Sequence, residues 1–79
     1  MNRQYIFRKV EEICHRIFGE NTRITEETAS TDIEKWDSMN HVLLIAAIEK
    51  EFDMKFDIME IIEISTIGNF IDAIENKQN

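Results

Sequence analysis

Seventy-nine residues support one domain, 1–79, and leave no room for a second core. A net charge of −7 repels polyanions, which sets aside nucleic acid and anionic membrane as partners. No apolar run approaches the ~20 residues of a bilayer span, so no membrane insertion is expected.

Met1-Asn2-Arg3 leads straight into a charged segment rather than a secretory leader. Cys14 stands alone and cannot form an internal disulfide, which suits a cytoplasmic protein with a buried structural thiol. The absence of proline and the presence of two glycines suit a helical chain. The charge is uneven. Residues 1–25 carry five basic against three acidic side chains, and residues 26–76 carry three lysines against thirteen acids. An acidic region of that size steers basic protein surfaces, or simply keeps a small domain soluble.

Residues 3–18 read as the first helix. Ile6, Val10, Ile13 and Ile17 recur at spacings of four, three and four, and form one apolar stripe that Cys14 borders and Phe18 closes. Gly19 follows as a C-cap glycine should, and His15 falls on the polar side as a surface residue. Tyr5 and Phe7 are expected at the edges of the packing. Residues 19–37 then form a long connection without a period. Loops of that length in a compact domain are functional or pinned down, and Ile24, Ile33 and Trp36 are the pins expected here. A short helical turn fits around Thr31–Glu34.

The second helix spans Ser38 to about Phe52, with Asp37 as N-cap. At ~100° per residue, His41, Leu44, Ile45, Ile48 and Phe52 share the face that points to the core. The opposite side carries Met39, Leu43, Ala46 and Lys50, flanked by Val42 and Ala47. A second apolar strip on an acidic helix marks either a partner site or burial under the long loop. His41 is expected to be a core histidine that bonds the loop backbone, and Trp36 to be a structural pin. Asp57 and Glu60 open a short third helix, Ile58 to about Ile64, whose isoleucines require packing to hold it. Ser65-Thr66 caps a fourth helix with the stripe Ile67, Phe70, Ile71 and Ile74. Gly68 in its first turn permits close contact with a neighbour, and Lys77-Gln78-Asn79 is expected to fray.

Few residues offer chemistry. His15, His41 and Cys14 lack zinc-like pairing, and no calcium-loop or glycine-rich phosphate pattern occurs. Ser38, His41 and Asp37 spell a hydrolytic triad. With Asp37 engaged as a cap and His41 turned inward, they make a poor relay. Ser38 itself stands at the first helical position, where free N–H groups and the helix dipole favour an anion such as a phosphate.

These residues carry a resemblance. The sequence resembles the acyl carrier proteins over nearly its whole length: helix one, long loop, Asp37-Ser38-Met39 opening helix two, Glu49-x-Glu51-Phe52 closing it, short helix three and capped helix four. The resemblance implies an all-α, four-helix bundle with three main helices, a short third helix and a long first loop. It implies that a phosphopantetheinyl transferase attaches 4'-phosphopantetheine, donated by coenzyme A, to Ser38, with Asp37 and Met39 beside it. A cytoplasmic, monomeric carrier without catalytic residues or metal would then carry acyl groups as thioesters in a fatty-acid or a specialised lipid or polyketide pathway, meeting an acyl-loading ligase or synthase and acyl-using transferases or condensing enzymes.

Two departures bear on those partners. Fatty-acid carriers place acids just after the motif and along helix two, where this chain has Asn40, Leu43 and Lys50. The Trp36-Asp37-Ser38-x-x-His41 arrangement looks like that of stand-alone carriers of specialised pathways, in which direct contact of His41 with the arm, and of Trp36 with a ligand, are the alternatives to their structural roles. Docking would rest on Met39, Asn40, Leu43, Ala46 and Lys50, with charge from Asp37, Glu51, Glu60 and Glu63. Ile48, Ile61, Ile64 and Ile67 could part to shelter an acyl chain. An aminoacyl or peptidyl carrier, and an unmodified helical adaptor, are the alternative readings.

Overall fold

The computed structural model describes residues 2–78, which form α1 (Arg3–Phe18), a single 3-10 turn (Ser30–Asp32), α2 (Ser38–Phe52), α3 (Ile58–Glu63) and α4 (Ile67–Gln78). α1 begins where the Asn2 side chain accepts the Tyr5 N–H at 2.8 Å. It ends where Gly19, at φ 110°, returns its N–H to the His15 carbonyl. The apolar stripe read from the sequence is the buried one, with Ile6, Val10, Ile13, Cys14 and Phe18 all inside and Ile17 packed at the margin. α1 packs on α2 and α4, which supply Leu44, Ile45, Ile48, Phe52 and Ile67, Phe70, Ile71, Ile74 to the same core. Burial first, and the nearby Glu11 charge second, push the Cys14 thiol up to about 12. The thiol therefore stays neutral, a packed apolar group rather than a nucleophile.

The long loop is tied down along its length. Ile24 and Trp36 are buried, and Ile33 packs against the core. Its backbone pairs with the α3–α4 junction: the Ser30 N–H meets the Ser65 carbonyl at 3.1 Å, and the Ile67 N–H meets the Thr28 carbonyl at 3.0 Å. The Gly68 N–H donates to the Glu26 carbonyl at 2.8 Å, and a Cβ at Gly68 would lie 3.1 Å from that oxygen. The glycine is there because the loop backbone lies against α4. These carbonyls also satisfy two of the orphan donors that open α4, while Thr66 Oγ1 accepts the Asn69 N–H at 3.1 Å.

Several expectations change. The helical turn lies at Ser30–Asp32, slightly ahead of where the sequence placed it, and α3 stops at Glu63 with Ile64 as its C-cap. His15 is half-buried, and its Nε2 donates to the Thr22 carbonyl at 3.0 Å, pinning the start of the loop. Ala47 packs against the core instead of flanking the outer strip. α4 is helical through Gln78, and its last side chains have partners. Lys77 Nζ lies 2.9 Å from Glu60 Oε1, and Gln78 Nε2 donates to the Phe52 carbonyl at 3.1 Å. These contacts link the last turn of α4 to α3 and to the end of α2; Asn79 lies outside the described residues.

Candidate functional site

Ser38 is exposed at the first position of α2. The helix starts there because Asp37, in extended conformation, turns its carboxylate onto the Asn40 N–H at 2.9 Å. The Asn40 side chain then donates to the Lys35 carbonyl at 2.7 Å, fixing the loop against the helix. Among the described residues, the Ser38 and Met39 N–H groups have no hydrogen-bond partner. A hydroxyl, two unpaired N–H groups and the positive end of a four-turn helix therefore converge, and they suit a phosphate ester.

Behind Ser38 the arrangement is rigid. Trp36 is 6 % exposed and packs on Phe18 and Phe70, with ring centroids 5.5 and 6.3 Å away. Its indole Nε1 donates to His41 Nδ1 at 3.0 Å. His41 is thus half-buried and bonded to the Trp36 side chain, where the sequence reading had it bonding the loop backbone. Trp36, Asp37, Ser38 and His41 border an open cleft of about 480 Å³, completed by Ser30, Val42, Ile61, Ile62 and Ile64. Of the residues expected to part for a chain, Ile61 and Ile64 line this cleft, whereas Ile48 and Ile67 are fully buried behind it.

The outer face of α2 is open. Met39 is 74 % exposed and Leu43 51 %, and Ala46, Lys50 and Glu51 are also exposed, so the long loop does not cover this strip. Asn40 is half-buried by its loop bond. Glu60 is placed apart from this group. Its carboxylate accepts the Asp57 N–H at 2.8 Å and pairs with Lys77, and these two contacts hold it below the usual carboxylate range. The sequence reading missed the other half of the open surface. Ile58, Met59 and Ile62 of α3 are exposed, although the isoleucines had been expected to hold that helix by packing. Ile58, Ile61 and Ile62 stand at i, i+3 and i+4 on one face of this short helix, so spacing does not separate the exposed pair from Ile61. Val42 and Ile62 border the same cleft, so the apolar strips of α2 and α3 meet beside Ser38.

Among the described residues, no three metal-binding side chains gather, and no helix is long and apolar enough to cross a membrane. The family model described as the phosphopantetheine attachment site matches residues 8–74. The acyl carrier protein of Thermotoga maritima is 35 % identical over 77 residues, spanning 96 % of this chain and 95 % of that one. A structure described as an acyl carrier protein from Mycobacterium tuberculosis matches with a TM-score of 0.83 at 22 % identity, covering 91 % of this chain and 97 % of its own. That second likeness is one of fold.

Proposed function

Since the chain belongs to the acyl carrier proteins of the phosphopantetheine-attachment family, we propose that Ser38 is its attachment residue and that its cargo belongs to a specialised lipid or polyketide pathway. Proteins of this family are carriers, not enzymes, and their cofactor is 4'-phosphopantetheine. The observation that carries the assignment is the exposed Ser38 hydroxyl on a capped helix start beside an apolar-walled cleft. A transferase would join Ser38 Oγ to the β-phosphorus of coenzyme A. The hydroxyl proton is lost, the phosphorus–oxygen bond to the adenosine half breaks, and adenosine 3',5'-bisphosphate leaves. The resulting phosphodiester would lie where the Ser38 and Met39 N–H groups are free to meet its charge.

The specialised pathway is supported by the outer face. Met39, Leu43 and Ala46 of α2, with Ile58, Met59 and Ile62 of α3, suit a partner that offers an apolar socket. Exposed Asp37, Glu51 and Glu63 suit basic side chains around its rim. Loading ligases, synthases and acyl-using enzymes are the partner classes proposed, acting in the cytoplasm. Glu60, already committed to Lys77, contributes little to that rim.

Coexpression with a phosphopantetheinyl transferase followed by intact-mass measurement tests the assignment. The wild-type chain should gain the mass of one phosphopantetheine, and Ser38→Ala should gain none. An unmodified wild-type chain, or a modified Ser38→Ala, would overturn it.

A further inference from the structure

His41 has a polar atom that neither the core nor the attachment of an arm to Ser38 uses. Tryptophan's indole nitrogen only donates, so the 3.0 Å bond from Trp36 Nε1 requires His41 Nδ1 to be bare. The proton of the neutral ring therefore sits on Nε2. The ring has little freedom to turn. It lies 6.1 Å from Trp36 and 5.9 Å from Phe70, centroid to centroid, and Trp36 and Phe70 are themselves buried.

His41 Nε2 meets no acceptor among the described residues, and no buried side-chain nitrogen or oxygen there lacks a partner. Nε2 therefore reaches the surface, and the cleft that His41 lines is the one bordered by Ser38. Ser38 and His41 are three apart on α2, so their Cβ atoms are neighbours at about 5–6 Å. Val42, Ile61, Ile62 and Ile64 line the same cleft with methyl groups and no side-chain acceptor, and Ser30 adds one hydroxyl. The Asp37 carboxylate at the rim is already engaged with the Asn40 N–H. A fixed donor that none of these side chains accepts thus faces a largely apolar cleft, one helical turn from the proposed attachment oxygen. An N–H at the mouth of such a cleft exchanges its water for an acceptor that enters.

We propose that His41, fixed by Trp36 as its Nε2–H tautomer, is a positioning residue that donates a hydrogen bond to an oxygen in the first segment of the prosthetic arm. The candidate acceptors are the phosphodiester and the first amide carbonyl, which share the chemistry of an oxygen acceptor. The bond directs the arm along the cleft toward Ile61 and Ile64 instead of into solvent. The inference rests on the attachment of that arm to Ser38.

Side-chain nitrogen and proton NMR of the apo and holo protein, each first checked by intact mass, tests it. The His41 Nε2 and Hε2 resonances should shift on loading while those of His15, bonded to the Thr22 carbonyl, remain in place. In holo His41→Phe, the arm's phosphorus-31 or first-amide carbon-13 resonance should move relative to wild type. The resonance that moves identifies which oxygen accepts. His41→Gln, which keeps an acceptor for Trp36 and a donor for the arm, should restore it. If His41→Phe does not fold, Trp36→Phe keeps the imidazole but frees its tautomer, and the loading-induced Nε2 shift should shrink. A holo protein with unmoved His41 resonances overturns the proposal alone. A wild-type chain that gains no mass removes the attachment at Ser38 and the proposal with it.

Discussion

Two regions of this molecule treat their polar and apolar groups in opposite ways. At the start of α1, Arg3 spreads its guanidinium over three carboxylates. Its Nε lies 3.1 and 3.0 Å from the two oxygens of Glu26, while one terminal nitrogen lies 2.9 Å from Asp72 and 2.6 Å from Glu75. One side chain thereby joins α1, the long loop and α4. Around Ser38 the groups are left open: a free hydroxyl, two unpaired backbone N–H groups, a bare imidazole N–H and six large exposed apolar side chains. Water meets the polar groups there, but folding alone gives no reason to expose so many large apolar side chains side by side. Satisfaction at one region and surplus at the other separate what holds the fold from what is offered to a partner.

Trp36 joins the open region to the core, so removing it should have the largest effect. Trp36→Ala deletes a buried ring packed on Phe18 and Phe70, at a cost of about 3–5 kcal/mol. Against a total of roughly 4–12 kcal/mol for a chain of this size, denaturant unfolding should show much or all of the stability gone.

Arg3→Met tests the satisfied region by itself. Its loss leaves Glu26, Asp72 and Glu75 facing one another, but Arg3 is about one-third exposed, so solvent screens the effect to about 1 kcal/mol. The melting temperature should fall by about 4–8 °C per kcal/mol, and added salt should recover part of it. Transferase loading of Ser38 should be unchanged. A loading defect in a folded Arg3→Met would show that the two regions are coupled.

The Glu60–Lys77 contact is a smaller test of the same kind. Glu60 is held low first by the Asp57 N–H and then by Lys77. Its stabilisation is present above the unfolded carboxylate range, near ~4.3, and is lost as pH falls through the lower folded value. Glu60→Gln should therefore lower the neutral-pH melting temperature slightly, leave melting below the folded value almost unchanged, and so flatten the acid limb of a stability-versus-pH curve.

Periodicity made the satisfied region partly legible in advance, and the open one less so. The stripes of α1, α2 and α4 followed from apolar spacing, and Asp37 and Thr66 marked helix starts because caps have few residue choices. Trp36 could be recognised as a pin. Its bond to His41 could not, because that contact depends on how the loop folds back. Lys77 and Gln78 read as a loose end because their partners, Glu60 and Phe52, are distant in sequence. α3 was the hardest element: six residues give less than two turns, so the pattern did not tell Ile61, which packs at the core, from Ile58 and Ile62, which do not.

Leu43→Glu should change stability least and sharpen the comparison most. Leu43 is 51 % exposed on the outer face of α2, so a carboxylate there stays hydrated and unfolding should move by no more than about 0.5 kcal/mol. If the outer face exists for docking, the same change should lower kcat/KM for transferase loading roughly tenfold, about 1.4 kcal/mol of lost complementarity. Ile62→Glu on the α3 side should act in the same direction, because both strips meet beside the cleft. Unfolding of Leu43→Glu would place Leu43 in the core and refute the division into two regions. A folded variant that loads normally would keep the division but assign the surplus surface to a later partner, since the transferase would then dock without it.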